Sequence, residues 1–170
     1  MRFNPDIHHR QSTRFRAYDY SRLGAYFFTI VTVNRECMFG EVCNGNVSLN
    51  ISGEKVASEW RALPSRFCGV ILDEFIVMPN HIHGILIIDS ADGNDKNLGA
   101  ASGAPTLGAI IRCLKSCSAI AVNKTHDRSG VPVWQRNYWD RIIRNESELH
   151  AFRTYIQNNP QQWHADLLFL

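Results

Sequence analysis

Two imidazoles stand two residues apart in a segment that is otherwise almost wholly apolar, Val77-Met-Pro-Asn-His-Ile-His-Gly-Ile-Leu-Ile-Ile88. On a β-strand, residues i and i+2 point to the same face. The Cα atoms of His81 and His83 would then lie about 6.6–7 Å apart. Two rings held that way can converge on one metal ion, or each can be a histidine hydrogen-bonded at a sheet surface. Ile82 between them points to the opposite face, into a core, and Gly84 is expected to leave open space beside the pair. A second group lies in Tyr155-Ile-Gln-Asn-Asn-Pro160. Tyr155 and Asn159 are four residues apart, so on a helix they share a face with Cβ atoms about 5–6 Å apart. Together they can offer a phenolic oxygen and an amide carbonyl to one site. Singly, Tyr155 reads as well as a half-buried amphipathic residue, and Asn159 as a helix C-terminal residue before proline.

The elements that must hold these residues can be read from the patterning of the chain. Ala25–Val33 is rich in β-branched and aromatic residues and predicts a core strand. Asn44-Gly45 between two short runs predicts a hairpin. Ser52–Arg66 has a helical pattern, with Val56, Trp60 and Leu63 on one face. Val70–Val77 and His81–Asp89 predict two strands joined by the tight Met78-Pro79-Asn80 turn. Thr106–Asn123 predicts a helix striped by Leu107, Ile110, Ile111, Leu114 and Ile120. Val131–Tyr138 reads as a short strand. Ser147–Asn158 reads as a last helix, ended by Pro160. The order approximates β-α-β-β-α-β, so the expected class is α+β: a ferredoxin-like or RRM-like sandwich, its antiparallel sheet covered by helices on one face. Residues 1–23 read as an extended basic arm, 24–163 as one domain, 90–105 as a mobile Gly/Ala/Ser-rich loop, and 164–170 as a short tail.

Composition narrows the class further. The chain has 170 residues, 45% of them hydrophobic and 20% charged, which suits one soluble domain. Net charge is only +2, but arginines and lysines gather near the N-terminus and in the later half, while acids gather in the middle. That layout allows a basic face on a protein that is not basic overall. Cysteines at 37, 43, 68, 113 and 117 are odd in number and contain no CxxC. They predict reduced, mostly buried thiols in a cytoplasmic protein, with neither a disulfide framework nor a zinc site. No apolar run is long enough to span a bilayer, and the N-terminal residues do not read as a signal peptide. Histidine-triad hydrolases need a third alternating histidine, but position 85 is isoleucine. Cupins and two-histidine phosphoesterases need further motifs that do not occur here.

MPNHIHG, LGAIIRCLKS, VWQRNYWDRIIRNESEL and YIQNNP occur in that order. Together they resemble the REP-associated tyrosine transposases, members of the single-tyrosine HUH transposases in which U is a hydrophobic residue. The opening TRFRAYDYSRLGAYFFTIVTVNRECMFGEV is similar to that family's arm and first strand. The resemblance covers roughly residues 12–163. After Asn159-Pro160 the chain reads QQWHADLLFL, where many members have a Val-Arg-Ala-Gly-like continuation.

The resemblance implies a ferredoxin-like catalytic domain acting on single-stranded or hairpin DNA. It implies His81 and His83 as the HUH pair, Tyr155 as the nucleophile and Asn159 as the residue completing a site for Mg²⁺ or Mn²⁺. It further implies metal-dependent strand cleavage and strand transfer through a 5′-phosphotyrosine, the chemistry of DNA transposition. It leaves monomer and homodimer both open. A hairpin-binding module without chemistry is the alternative on the same fold. Phe15, Tyr18, Tyr20, Trp134, Tyr138 and Trp139 are candidates for stacking unpaired bases. Arg14, Arg16, Arg112, Lys115, Arg136 and Arg141 are candidates for holding phosphates.

Overall fold

A computed structural model describes residues 24–89, 105–165 and 168. The expectations for the arm, with Arg14, Arg16, Phe15, Tyr18 and Tyr20, and nearly all of the 90–105 loop lie outside the described residues.

Strand β1 is Gly24–Val31 and is followed by the ribbon of β2, Gly40–Cys43, and β3, Asn46–Leu49. The ribbon turns at Asn44-Gly45, both at positive φ (52° and 73°), as a two-residue hairpin requires. Helix α1 spans Ile51–Arg61 and the short α2 spans Leu63–Arg66. The cap of α1 is Asn50, whose side chain accepts from Gly53 N, so the helix starts one residue before the Ser52 expected. Strands β4, Val70–Val77, and β5, His81–Ile88, lead to α3, Leu107–Thr125, β6, Trp139–Ile143, and α4, Glu146–Asn158. Thr106 caps α3 and Asn145 caps α4 through their side-chain oxygens. A 3₁₀ segment, Asn159–Ala165, follows α4 directly.

The four long strands form one antiparallel sheet in the order β4-β5-β1-β6. This is the expected α+β ferredoxin-like arrangement. Alternation splits the strands between two environments. Tyr26, Phe28, Ile30, Ile82 and Leu86 face α1 and α3 in the main core. Phe27, Ile85 and Ile143 face the other way, against Leu149 and Ile156 of α4. The expected covering of one face is corrected: α1 and α3 cover one face, and α4 lies across part of the other because Phe27, Ile85 and Ile143 offer it an apolar surface.

Three local expectations are corrected. The strand expected at Val131–Tyr138 is displaced: only Trp134 makes a bridge, to Thr32, and regular pairing begins at Trp139. Lys115 Nζ donates to the carbonyls of Gln135, Arg136 and Asn137 at 2.6, 3.0 and 3.3 Å. Those carbonyls are turned to the ammonium and not to a ladder. Gly84 does not open space beside the histidines, because it shares the core-facing side with Ile82. A Cβ there would lie 2.7 Å from Phe28 Cζ and 3.0 Å from Phe75 Cδ2. The cysteines are free, but Cys37, Cys43 and Cys68 are exposed and Cys113 and Cys117 half-buried, so they are not the buried thiols expected.

Candidate active site

The Met78-Pro79-Asn80 turn between β4 and β5 is buried and pinned on several sides. Met38 N and Phe39 N both donate to Pro79 O, and Thr32 N donates to Asn80 O. The Asn80 amide nitrogen donates to the carbonyls of Arg35 and Leu168 at 3.2 and 2.7 Å. Both of its N–H groups are thus committed, which fixes the amide orientation. Its oxygen is left to accept from His81 Nδ1 at 2.8 Å. That bond sets the tautomer of His81 and leaves the lone pair on Nε2.

His83 is held in the same way from the neighbouring strand. The β1–β5 register places Thr29 opposite His83, and Thr29 Oγ1 lies 2.8 Å from His83 Nδ1. Phe27 stacks on the His83 ring at 5.4 Å and on Phe152 of α4 at 4.5 Å, so one aromatic stack ties the helix to the imidazole. Burial, with the neighbouring His81 adding to it, pushes His83 well below the ordinary histidine pKa. His83 is therefore neutral at physiological pH, the form that ligates metals. The two imidazole centroids are 4.5 Å apart.

Tyr155 projects from α4 to this pair. Its hydroxyl is 3.4 Å from His83 Nε2, its ring meets His83 edge-on at 5.2 Å, and it remains 40% exposed. Asn159, one turn later, is buried and lines the same groove as Tyr155 and His83. That groove has a volume of about 910 Å³, runs over β1 and the β6 edge, and has Trp139 and Phe152 on its walls. His81 and His83 of β5, Tyr155 of α4 and Asn159 at the start of the 3₁₀ segment are thus brought together.

The donor set fits a divalent ion, though sparsely. His81 and Asn159 each have other interactions, but two of their atoms, His81 Nε2 and Asn159 Oδ1, are buried and make no hydrogen bond among the described residues. Among the described residues no cluster of three His, Cys, Asp or Glu side chains exists. Two imidazoles and an amide oxygen would fill about half of an octahedral shell, leaving room for substrate oxygens and water. Imidazole suits manganese better than magnesium.

The DNA-contact candidates separate. Trp139 is 56% exposed beside the groove. Arg141 follows it on β6, with its guanidinium 5.8 Å from the Phe152 ring centroid and 4.0 Å from Glu148. Arg112 and Arg136 line a second hollow, on α3, which shares Gln135 and Tyr138 with the first. Two candidates are corrected. Trp134 is buried in the core, packs on Phe39 and donates its indole N–H to Ser118 Oγ, so it presents no free face for a base. Lys115 spends its ammonium on three carbonyls and is not placed to grip a phosphate; burial lowers its pKa to about 8. Thr29 and Asn80, which orient the two imidazoles, were not singled out in the sequence. Asn80 directly precedes His81 and was findable; the pairing of Thr29 with His83 depends on strand register.

No protein-family model matches the chain. An uncharacterized protein of Haemophilus influenzae is 38% identical over 178 residues, spanning 99% of this chain and 98% of that one. A REP-associated tyrosine transposase, solved bound to a REP hairpin, superposes with a TM-score of 0.59 at 19% identity, over 89% of this chain and 74% of that one. A structure from Deinococcus radiodurans R1 superposes at a TM-score of 0.47 with 17% identity, a likeness too loose to argue from. The chain belongs to one family with the Haemophilus influenzae protein, and its fold is that of the REP-associated tyrosine transposase.

Proposed function

We propose that the protein is a single-tyrosine DNA transposase or endonuclease that cuts and rejoins single-stranded or hairpin DNA through a 5′-phosphotyrosine. The observation that carries this reading is the approach of the Tyr155 hydroxyl to within 3.4 Å of His83 Nε2, beside a second imidazole. Hairpin DNA as substrate is supported by the shared fold, since the transposase of that fold was solved with a REP hairpin.

His81, His83 and Asn159 would hold Mg²⁺ or Mn²⁺. When bound, the ion supplies a positive charge that polarises the scissile phosphate and steadies the departing oxygen. Tyr155 forms the new O–P bond as the bond to the 3′ oxygen breaks. The phenol gives up its proton, and the 3′ oxygen takes one to become a hydroxyl. A free phenol has a pKa of about 10, so deprotonation must be assisted at this site. The phosphotyrosine conserves the energy of the phosphodiester, and a second 3′ hydroxyl can reverse the step without ATP. The open groove beside Tyr155 admits a flexible strand in line more readily than a duplex.

The test is incubation of labelled hairpin oligonucleotides with Mn²⁺, followed by denaturing electrophoresis. A protein–DNA adduct is expected, and Tyr155→Phe should abolish it while leaving DNA binding intact. An adduct that persists in Tyr155→Phe removes that residue as nucleophile. Binding without any adduct would favour a hairpin-binding module on the same fold.

A further inference from the structure

Helix α4 carries the proposed nucleophile and rests on the sheet through Leu149, Phe152 and Ile156. The aliphatic contacts are non-directional, and the Phe27–Phe152 stack holds the helix at one point, so a second attachment is needed to fix how it is rolled about its axis. Residues advance about 100° each around a helix. Arg153 and Gln157 therefore share one flank, and Tyr155 lies on the opposite flank, toward the groove.

The first flank is bonded to β4. Arg153 Nε donates to Asp73 Oδ1 at 2.8 Å and Arg153 Nη2 to Asp73 Oδ2 at 2.5 Å. Gln157 Nε2 donates to Glu74 Oε1 at 2.7 Å. Asp73 and Glu74 sit where the β4–β5 register slips between Leu72 and Phe75. Consecutive residues of a regular strand point to opposite faces. The irregularity lets two neighbours reach the same helix. A two-pronged guanidinium–carboxylate contact also fixes direction as well as distance.

We propose that Asp73 and Arg153 are positioning residues for Tyr155, setting the roll of α4 so that the phenol meets His83; this rests on Tyr155 being the nucleophile. Magnitudes favour the idea. At a side-chain radius of about 6 Å, a roll of about 20° moves a side-chain end by about 2 Å. A misplacement of about 1 Å at a reacting centre costs about 100-fold in rate.

The test uses Asp73→Ala and Arg153→Ala with two readouts. One is the rate of adduct formation at saturating hairpin oligonucleotide and Mn²⁺, at a temperature where circular dichroism shows each variant folded. The other is the ¹⁹F signal of 3-fluorotyrosine placed at position 155. Each variant is expected to slow adduct formation about 10- to 100-fold with unchanged oligonucleotide affinity, and to move or broaden the fluorine signal. The double variant should be no slower than the worse single one. Asp73→Asn, which keeps the shape and removes the charge, replaces Asp73→Ala if the latter does not fold. A folded variant with the parent rate, or an unmoved fluorine signal, overturns the proposal. If the parent protein forms no adduct, the catalytic reading fails on its own, and the fluorine signal alone decides the positioning role.

Discussion

The two faces of the sheet are made by alternate residues of the same strands, yet they are built to different ends. On the face covered by α1 and α3, Phe28, Ile82 and Leu86 are buried, and Gly84 is held against an aromatic ring with no room for a methyl group. On the face partly covered by α4, Thr29, His81, His83 and Asn159 are buried polar groups beside a wide groove. One face gains from exclusion of water and close packing. The other gives up some of that gain to hold lone pairs in chosen directions, as functional sites do.

Trp134 and Trp139 give the widest contrast. Trp134→Ala, on the core side, should cost about 3–5 kcal/mol of stability, read as a lowered denaturation midpoint. Trp139→Ala, on the groove side, should leave stability within about 0.5 kcal/mol. It should weaken binding of single-stranded oligonucleotides by about 1–3 kcal/mol, the worth of one stacked base. Equal effects of the two on stability would erase the distinction. Next in size, His83→Ala should lower the cleavage rate about 100- to 1,000-fold while retaining hairpin binding in a gel-shift assay. Cleavage untouched by it would remove the metal site from the account. Gly84→Ala, one residue on but on the opposite face, should act through packing and cost about 1–3 kcal/mol. A melting curve checks it, and adduct formation by the folded protein should survive.

The smallest effect concerns acid. The Arg153 guanidinium holds the Asp73 carboxyl below its ordinary pKa, so its charged form is favoured in the fold. The resulting stability is complete above the ordinary carboxylate value and is lost as pH falls through the depressed one. The advantage of the parent protein over Asp73→Asn should therefore be present at neutral pH and vanish in strong acid. The pair is partly exposed, so the difference should be under about 1 kcal/mol and shrink with salt. A difference that grows on acidification would reverse the sign of this linkage.

Much of this layout was legible in the chain. Period-two alternation placed His81 and His83 on one face, and the four-residue spacing placed Asn159, which caps α4, one turn after Tyr155. The same alternation puts Gly84 with Ile82 on the core side, against the open space expected there. Other features needed three dimensions. β6 starts later than its apolar run suggests because Lys115, twenty residues upstream, captures the carbonyls of Gln135–Asn137. The partner of Arg153 stands eighty residues away in the chain, and no local pattern links a bulge in one strand to a helix so distant.

The slip between Leu72 and Phe75 has a bearing on self-association. β4 forms an outer margin of the sheet, where a straight strand would offer another chain an unbroken row of backbone donors and acceptors. The kink interrupts that row, and charged side chains stand at the break. Two copies meeting along β4 would find no long template to extend there.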